Sequence, residues 1–250
     1  MIEQISIDLS NYCSKGCPFC YNTSSKLGQT QWSPKEVICF AKSCIMAGTK
    51  SVSLGGGEPF EYNGIFDVIS ELYPLVYLTL TTNGLPLLDR DIVRRLDMTK
   101  PDKIHVSLHN ADNNKEVERV KSQVRLLNDI SIKPGVNLLI KASDLDSCKR
   151  AYLTLREELS NEQIILIPMR FGDTPTSRQL ASITNGEPFQ SPSCLLKCTK
   201  PNTFASISWD KKVNWCSYAR GKQPLESLDY GGLMAALEKV DFTSCGSFCD

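Results

Sequence analysis

No apolar run in the chain approaches the roughly 20 residues of a membrane-spanning helix, so no membrane span is expected. The opening MIEQISIDLS lacks both a basic head and an apolar segment, and does not read as a secretory signal. Excess charge of either sign is missing too: 28 Lys+Arg face 28 Asp+Glu, with no long basic run. Neither nucleic acid nor an anionic membrane is indicated as a partner. There is no repeat of fixed period and no low-complexity tract. What remains is a cytoplasmic globular protein of 250 residues, one large α/β domain or a main domain with a small appendage.

Cysteine, in contrast, is plentiful. A chain this long buries most of its apolar surface without cross-links, so its 11 cysteines are not needed to rescue a small core. In a reducing compartment, clustered thiols more often bind metal or do chemistry. The stretch CSKGCPFCY places Cys13, Cys17 and Cys20 on one tight loop, directly after a short alternating run. Thiolates select zinc, copper(I) or iron–sulfur. A structural zinc wants four ligands, and no further Cys or His follows closely after Cys20. A cubane cluster ligated by three cysteines leaves one iron open, and the missing ligand then belongs to a small molecule.

Strand-like runs occur at 4–10, 51–55, 76–83, 103–109, 135–141 and 163–169, separated by helical patterns. The first helix starts at Ser33 as N-cap with Pro34 behind it and ends at Gly48; further helices are expected near 62–74, 88–97, 113–128 and 145–159. Val37, Phe40, Ala41, Cys44 and Ile45 fall on one face of the first, which makes Cys44 a core residue. Cys39 and Cys148 read as structural thiols. Strand alternating with helix implies a parallel sheet with right-handed crossovers. Buried parallel strands usually read as continuous Val/Ile/Leu. These instead place Asp8 and Ser10, Ser51 and Ser53, Thr79, Thr81 and Asn83, His105, Ser107 and His109, Asn137 and Lys141 on one face. A polar inner face and a helix-covered outer face describe an α/β fold, a partial (β/α)6 TIM-like barrel, with its chemistry at the C-terminal strand ends. An antiparallel sheet with one wet face is the alternative, against which the long helical crossovers argue.

With these residues in view, the chain resembles the radical S-adenosylmethionine (radical SAM) superfamily, whose signature CxxxCxΦC is met by Cys13, Cys17, the aromatic Phe19 and Cys20. The resemblance implies a 4Fe–4S cluster whose open iron is chelated by S-adenosylmethionine, with Phe19 near the adenine. It implies cofactor contacts from GGEP (Gly56, Gly57, Glu58, Pro59), whose glycines let backbone approach the methionine end. TTNG adds Asn83, and SLHN adds Ser107 and His109; Asn137 and Arg170 are placed there by position alone. Residues 1–175 form this core. A turn-rich linker, 176–193, leads to residues 194–250, whose five cysteines suggest a metal core instead of a hydrophobic one. That unit, a hairpin FASISW–DKK–VNWCSY followed by a helix in GGLMAALEKV, resembles SPASM and twitch-like auxiliary-cluster domains. The likeness implies a second 4Fe–4S cluster on Cys198, Cys216, Cys245 and Cys249. The terminal CxxxC departs from the more usual CxxC. Cys194 could replace Cys198, or serve as a catalytic thiol that donates hydrogen. A four-cysteine structural zinc is the alternative for this unit.

The implied reaction is reductive cleavage of S-adenosylmethionine to a 5′-deoxyadenosyl radical, which takes hydrogen from an unactivated C–H bond. A cellular reductant such as flavodoxin or ferredoxin is the implied electron source. The substrate is expected to be a peptide, oxidised, cross-linked or epimerised, although the first strand opens near Met1 with no winged-helix leader-binding domain before it. A small-molecule dehydrogenase acting on an amino-cyclitol or sugar is one alternative. A non-catalytic iron–sulfur or zinc protein is the other.

Overall fold

The computed structural model describes residues 1–192 and 198–245. Ser33 starts the first helix as expected: its hydroxyl accepts from Glu36 N at 3.3 Å while Glu36 Oε2 accepts from Ser33 N at 2.8 Å, closing a capping box. The helix, α1 (Pro34–Met46), buries Val37, Phe40, Ala41 and Cys44 along one face. It follows β1 (Gln4–Asp8) and precedes β2 (Ser51–Gly55), and this unit repeats. Next come α2 (Ile65–Leu72), β3 (Tyr77–Thr82), α3 (Arg90–Thr99), β4 (Lys103–Leu108), α4 (Asn114–Asp129), β5 (Lys133–Ile140), α5 (Leu145–Leu155) and β6 (Ile164–Pro168).

Strands β1 to β6 pair in parallel in chain order, with Ser6 opposite Ser53, Ser53 opposite Thr79, Thr81 opposite His105 and Ser107 opposite Asn137. The expected outer positions, among them Ile5, Ile7, Val52, Leu54, Leu78, Leu80, Ile104, Val106, Val136 and Leu138, are fully buried under the helices. One cavity touches Ser6, Ser53, Thr81, Ser107, Asn137 and Ile167, a residue from each of the six strands. A sheet can do that only by curling around the cavity, and the fold is the partial TIM-like barrel.

Beyond β6 the chain departs from expectation. The stretch read as linker holds a helix, α6 (Ser177–Ile183), with Thr176 and Gln179 as its capping box and Leu180 and Ile183 buried. Leu166 N then donates to Gln190 O at 2.8 Å, and Ser191 Oγ to Leu166 O at 2.7 Å, so this segment runs along the outer edge of β6. The hairpin forms as expected from β7 (Phe204–Ile207) and β8 (Lys212–Asn214), with a short β9 (Gln223–Pro224) beside it and α7 (Tyr230–Glu238) after it. It joins the sheet of the barrel. β7 pairs in parallel with β1, so one sheet of nine strands runs from β6 to β9. Ala205, Ile207, Val213, Leu233 and Leu237 are fully buried members of the same apolar cluster as Ile5 and Leu54. The described residues of this unit thus share the barrel's apolar core. Alternation in FASISW was enough to dock its apolar face on the barrel.

Candidate active site

The loop between β1 and α1 carries Cys13, Cys17 and Cys20, all of which line the cavity, whose volume is about 280 Å³. It is tied to the barrel from several sides. Gly57 N donates to Ser10 O at 2.6 Å and Glu58 N to Tyr12 O at 2.9 Å. Ser14 donates its backbone N–H to Glu61 Oε2 at 2.9 Å and its hydroxyl to Glu61 Oε1. Lys15 crosses to Glu116 Oε1 at 2.9 Å and to His109 Nδ1 at 2.9 Å. Asn83 Nδ2 donates to Cys13 Sγ at 3.6 Å.

The GGEP segment shows how this works. A Cβ on Gly57 would fall 1.8 Å from Tyr12 O, and one on Gly56, at φ +105°, 2.5 Å from Ser10 O. The glycines line the cavity, but the close approach that requires them is to the cysteine loop's own backbone. Glu58 and Pro59 are buried and do not touch the cavity. The Glu58 carboxylate turns inward and accepts from Thr82 Oγ1 at 2.8 Å, Asn83 N at 2.8 Å and Phe60 N at 3.3 Å. Burial outweighs these donors and pushes its acid up to about 7.

Phe19, Asn83, Ser107, His109, Asn137 and Arg170 also line the cavity, so most expected contacts gather there. Asn137 Oδ1 is buried without a short hydrogen bond among the described residues, and the Asn137 side chain interacts with His105. His109 packs against Phe19 with ring centroids 5.6 Å apart, and burial, then the Lys15 charge, hold its pKa down to about 4. His105 stands apart from the cavity lining, pulled down to about 4 by burial and Lys103.

Several lining residues were not anticipated: Ser6, Lys15, Tyr21, Phe171 and Tyr218. Ser6 was legible from the period of the first strand, and Lys15 from its place inside the thiol loop. Tyr218 carried no sequence signal. It follows Cys216 in the hairpin segment, packs against Tyr21 at 4.8 Å and lies under the Arg170 guanidinium at 3.8 Å. Arg170 Nη1 also donates to Cys245 Sγ at 3.4 Å, so one side chain touches both the cavity and an expected auxiliary thiol. Cys194 and Cys249 lie outside the described residues. Among the described residues, no three His, Cys, Asp or Glu side chains converge on a single-ion site.

The sequence profile of the Radical SAM superfamily matches residues 7–140, the stretch that builds β1 to β5 and the thiol loop. The chain belongs to the radical SAM superfamily. A probable GTP 3′,8-cyclase from Sulfurisphaera tokodaii is 31% identical over 144 residues, covering 55% of this chain and 45% of that protein. The chain spans about half the length of such curated relatives. Streptococcus suis SuiB bound to S-adenosylmethionine superposes with a TM-score of 0.72 at 18% identity, over 90% of this chain and 63% of that one. The enzyme anSMEcpe with bound AdoMet and a Cp18Cys peptide gives 0.66 at 14% identity, over 95% and 81%. These likenesses show the radical SAM fold.

The family implies a 4Fe–4S cluster and S-adenosylmethionine, and the residues present fit both. Three thiols of one loop face one cavity, the donor chemistry of an iron–sulfur cluster. Asn137 Oδ1 is a buried acceptor on the cavity wall that makes no short hydrogen bond among the described residues.

Proposed function

We propose that this radical SAM enzyme acts on a peptide, one side chain of which reaches the cavity from outside. The cavity's volume of about 280 Å³ carries the proposal. Ligand pockets of roughly 300–1,000 Å³ hold one drug-sized molecule, so the cluster and S-adenosylmethionine together would fill this space and the bulk of the substrate would stay at the rim. Phe171, 59% exposed, and Tyr21, 40% exposed, line that rim and offer aromatic surface to an apolar side chain. Phe171 sits at φ 61°, an uncommon backbone for a bulky residue and one that marks functional segments.

When bound, cluster and S-adenosylmethionine supply the one-electron chemistry and the radical that removes hydrogen. The chain's own residues position them. Cys13, Cys17 and Cys20 hold the cluster, with Asn83 directing an N–H at Cys13. Asn137 Oδ1 would accept from the nucleoside, and the mutually tilted rings of Phe19 and His109 line the same cavity. Cys198, Cys216 and Cys245, with Cys249 or Cys194 beyond the described residues, would hold a second cluster. Arg170 touches both Cys245 and the cavity. Flavodoxin or ferredoxin is the proposed electron donor, oxidation or epimerisation the proposed outcome, and the cytoplasm the proposed location.

A nucleotide substrate is the second reading, and the likeness to probable GTP 3′,8-cyclases favours it. A triphosphate calls for several cations. Among the described residues, the charged side chains lining the cavity are Lys15 and Arg170, and Lys15 is already ion-paired with Glu116.

The test is anaerobic reconstitution with a chemical reductant. Release of 5′-deoxyadenosine from S-adenosylmethionine is expected, abolished by Cys13→Ala. Iron should reach about eight per chain, and about four in Cys216→Ser. Deuterium passing into 5′-deoxyadenosine from a labelled peptide library supports the peptide reading; passage from labelled GTP overturns it.

A further inference from the structure

We propose that Glu116 and Lys15 are positioning residues that hold His109 in a single tautomer, so that its ring offers the cavity an N–H donor at Nε2. The inference rests on reading the cavity as the S-adenosylmethionine site.

Lys15 lies between Cys13 and Cys17, so its backbone belongs to the thiol loop, yet its side chain leaves that loop for the end of β4. Its Nζ stands 2.9 Å from His109 Nδ1 and 2.9 Å from Glu116 Oε1. An ammonium group has hydrogens to give and no lone pair to receive them. Nδ1 is therefore the acceptor, and in the neutral ring the proton sits on Nε2. The two nitrogens are thus told apart by a charge that the cysteine loop itself carries.

Glu116 secures both partners. It is 8% exposed in the first turn of α4. Its Oε1 accepts from Lys15 and from His109 N at 3.1 Å, and its Oε2 from Asn110 Nδ2 at 2.8 Å. Arg119 Nη2 adds a longer contact at 3.6 Å. One carboxylate therefore fixes the backbone of His109, its neighbour Asn110, and the lysine that reads the ring. The Phe19 ring, tilted 54° to the imidazole, limits rotation from the other side. Supporting this, burial keeps the imidazole neutral near pH 7. On the neighbouring strand, Asn137 Oδ1 is a buried acceptor that makes no short hydrogen bond among the described residues. A ligand would meet one fixed donor and one fixed acceptor, a combination that orients a nucleoside.

The tautomer is measurable with no cofactor bound. Long-range proton–nitrogen correlation on the full-length chain reports both imidazole nitrogens, and His105→Gln assigns the second histidine. In the native chain, His109 Nδ1 should be unprotonated and hydrogen-bonded, with the proton on Nε2. Lys15→Met should move the Nδ1 resonance toward the unbonded position, Glu116→Gln should move it partway, and Lys15→Arg should restore it. A protonated Nδ1 in the native chain overturns the proposal without any variant having to fold. A ring spectrum unchanged by both Lys15→Met and Glu116→Gln overturns it as well. Separately, equilibrium dialysis of the reconstituted protein should show His109→Ala weakening S-adenosylmethionine binding roughly fivefold to tenfold, the worth of one hydrogen bond. His109→Gln, which keeps a donor near Nε2, should stay within about threefold. An expected ring signature with unchanged cofactor affinity would sink the reading of the cavity and leave the tautomer support standing.

Discussion

The loop from Cys13 to Cys20 and the segment from Cys198 to Cys245 both bring thiols to the barrel, but they are fastened by different means. The first is short and irregular, and its conformation is imposed from outside by Ser10 and Tyr12 accepting from the β2 turn, by Glu61, by Glu116 and by Asn83. The second is built on regular structure: β7 adds to β1, and Val213, Leu233 and Leu237 join the barrel's own core. Its turn is tied back by Lys211, which reaches Glu36 of α1 at 2.7 Å. Polar preorganisation holds one and apolar burial the other. An open-site cluster needs ligands already in place, since looseness there would misplace every group that depends on it.

The largest effect that separates the two is steric. Gly57→Ala would put a methyl group 1.8 Å from Tyr12 O, a backbone atom that cannot yield without moving the thiol loop. A loss of at least about 3 kcal/mol is expected, at the upper end for overpacking. Gly221→Ala in the second segment meets Asp241 O at 3.6 Å, so only its left-handed backbone resists, for about 1 kcal/mol. Urea unfolding compares them directly; equal losses would show that the loop can shift, and that its outside ties do not define it.

Next comes the buried carboxylate beneath the loop. The Glu58 acid is held up at about 7 in the fold, against 4.5 as its ordinary value. The folded chain therefore binds this proton more tightly, and stability falls as pH rises from about 4.5 to about 7. Between pH 7.5 and pH 5 the native chain should gain roughly 2 kcal/mol from this group. Asp8, raised by burial to about 6, acts in the same direction. Glu58→Gln has no proton to take up, so its unfolding free energy should change with pH by that much less. A slope identical to the native one would mean that Glu58 is not the group buried there.

How much of this the sequence could reveal depends on the range of the interactions. The six strands were legible because Ile, Val and Leu alternate with Ser, Thr and Asn at period two. α1 was legible because Ser33 and Pro34 mark its start and Gly48 its end, all local signals. The seven-residue α6 was overlooked because SRQLASI is mostly polar, although Thr176 and Gln179 had the spacing of a cap. The ties of the thiol loop are a different matter: Ser14 and Glu61 are 47 residues apart, Lys15 and Glu116 are 101 apart. No local pattern encodes such pairs. The glycines of GGEP lie at the cavity for a reason that only packing shows, as they clear the way for the loop at Ser10 and Tyr12.

A moderate effect should follow from Glu61→Ala, which leaves the Ser14 backbone N–H and hydroxyl without their acceptor. Hydrogen bonds to a charged group contribute about 1.5–3 kcal/mol. Partial exposure of both residues places the expected loss near the lower end. Hydrogen exchange should quicken at Ser14 to Cys17 and stay unchanged in β7 and β8. Faster exchange in the hairpin as well would merge the two regions into one cooperative unit.

The smallest effect probes the tether of the second region. Glu36 is held down at about 2, first by its hydrogen bond with Lys211 and then by the Ser33 backbone N–H. A depressed acid stabilises the fold above its ordinary value of 4.5, and that contribution disappears as pH falls from there toward 2. The pair is partly exposed, with Glu36 at 37%, so screening reduces its worth to below about 1 kcal/mol. Glu36→Gln should therefore lower stability at pH 7 by about 0.5 kcal/mol, and the difference from the native chain should close near pH 2. This is the opposite sign to Glu58, so the two glutamates bend the stability profile from either side. Exchange should rise around Lys211 and leave Cys13 to Cys20 untouched, because β7 on β1 still holds the hairpin by burial. If the thiol loop loosened with it, the hairpin and the loop would share their support, and the distinction between polar and apolar fastening would fail at its weakest point.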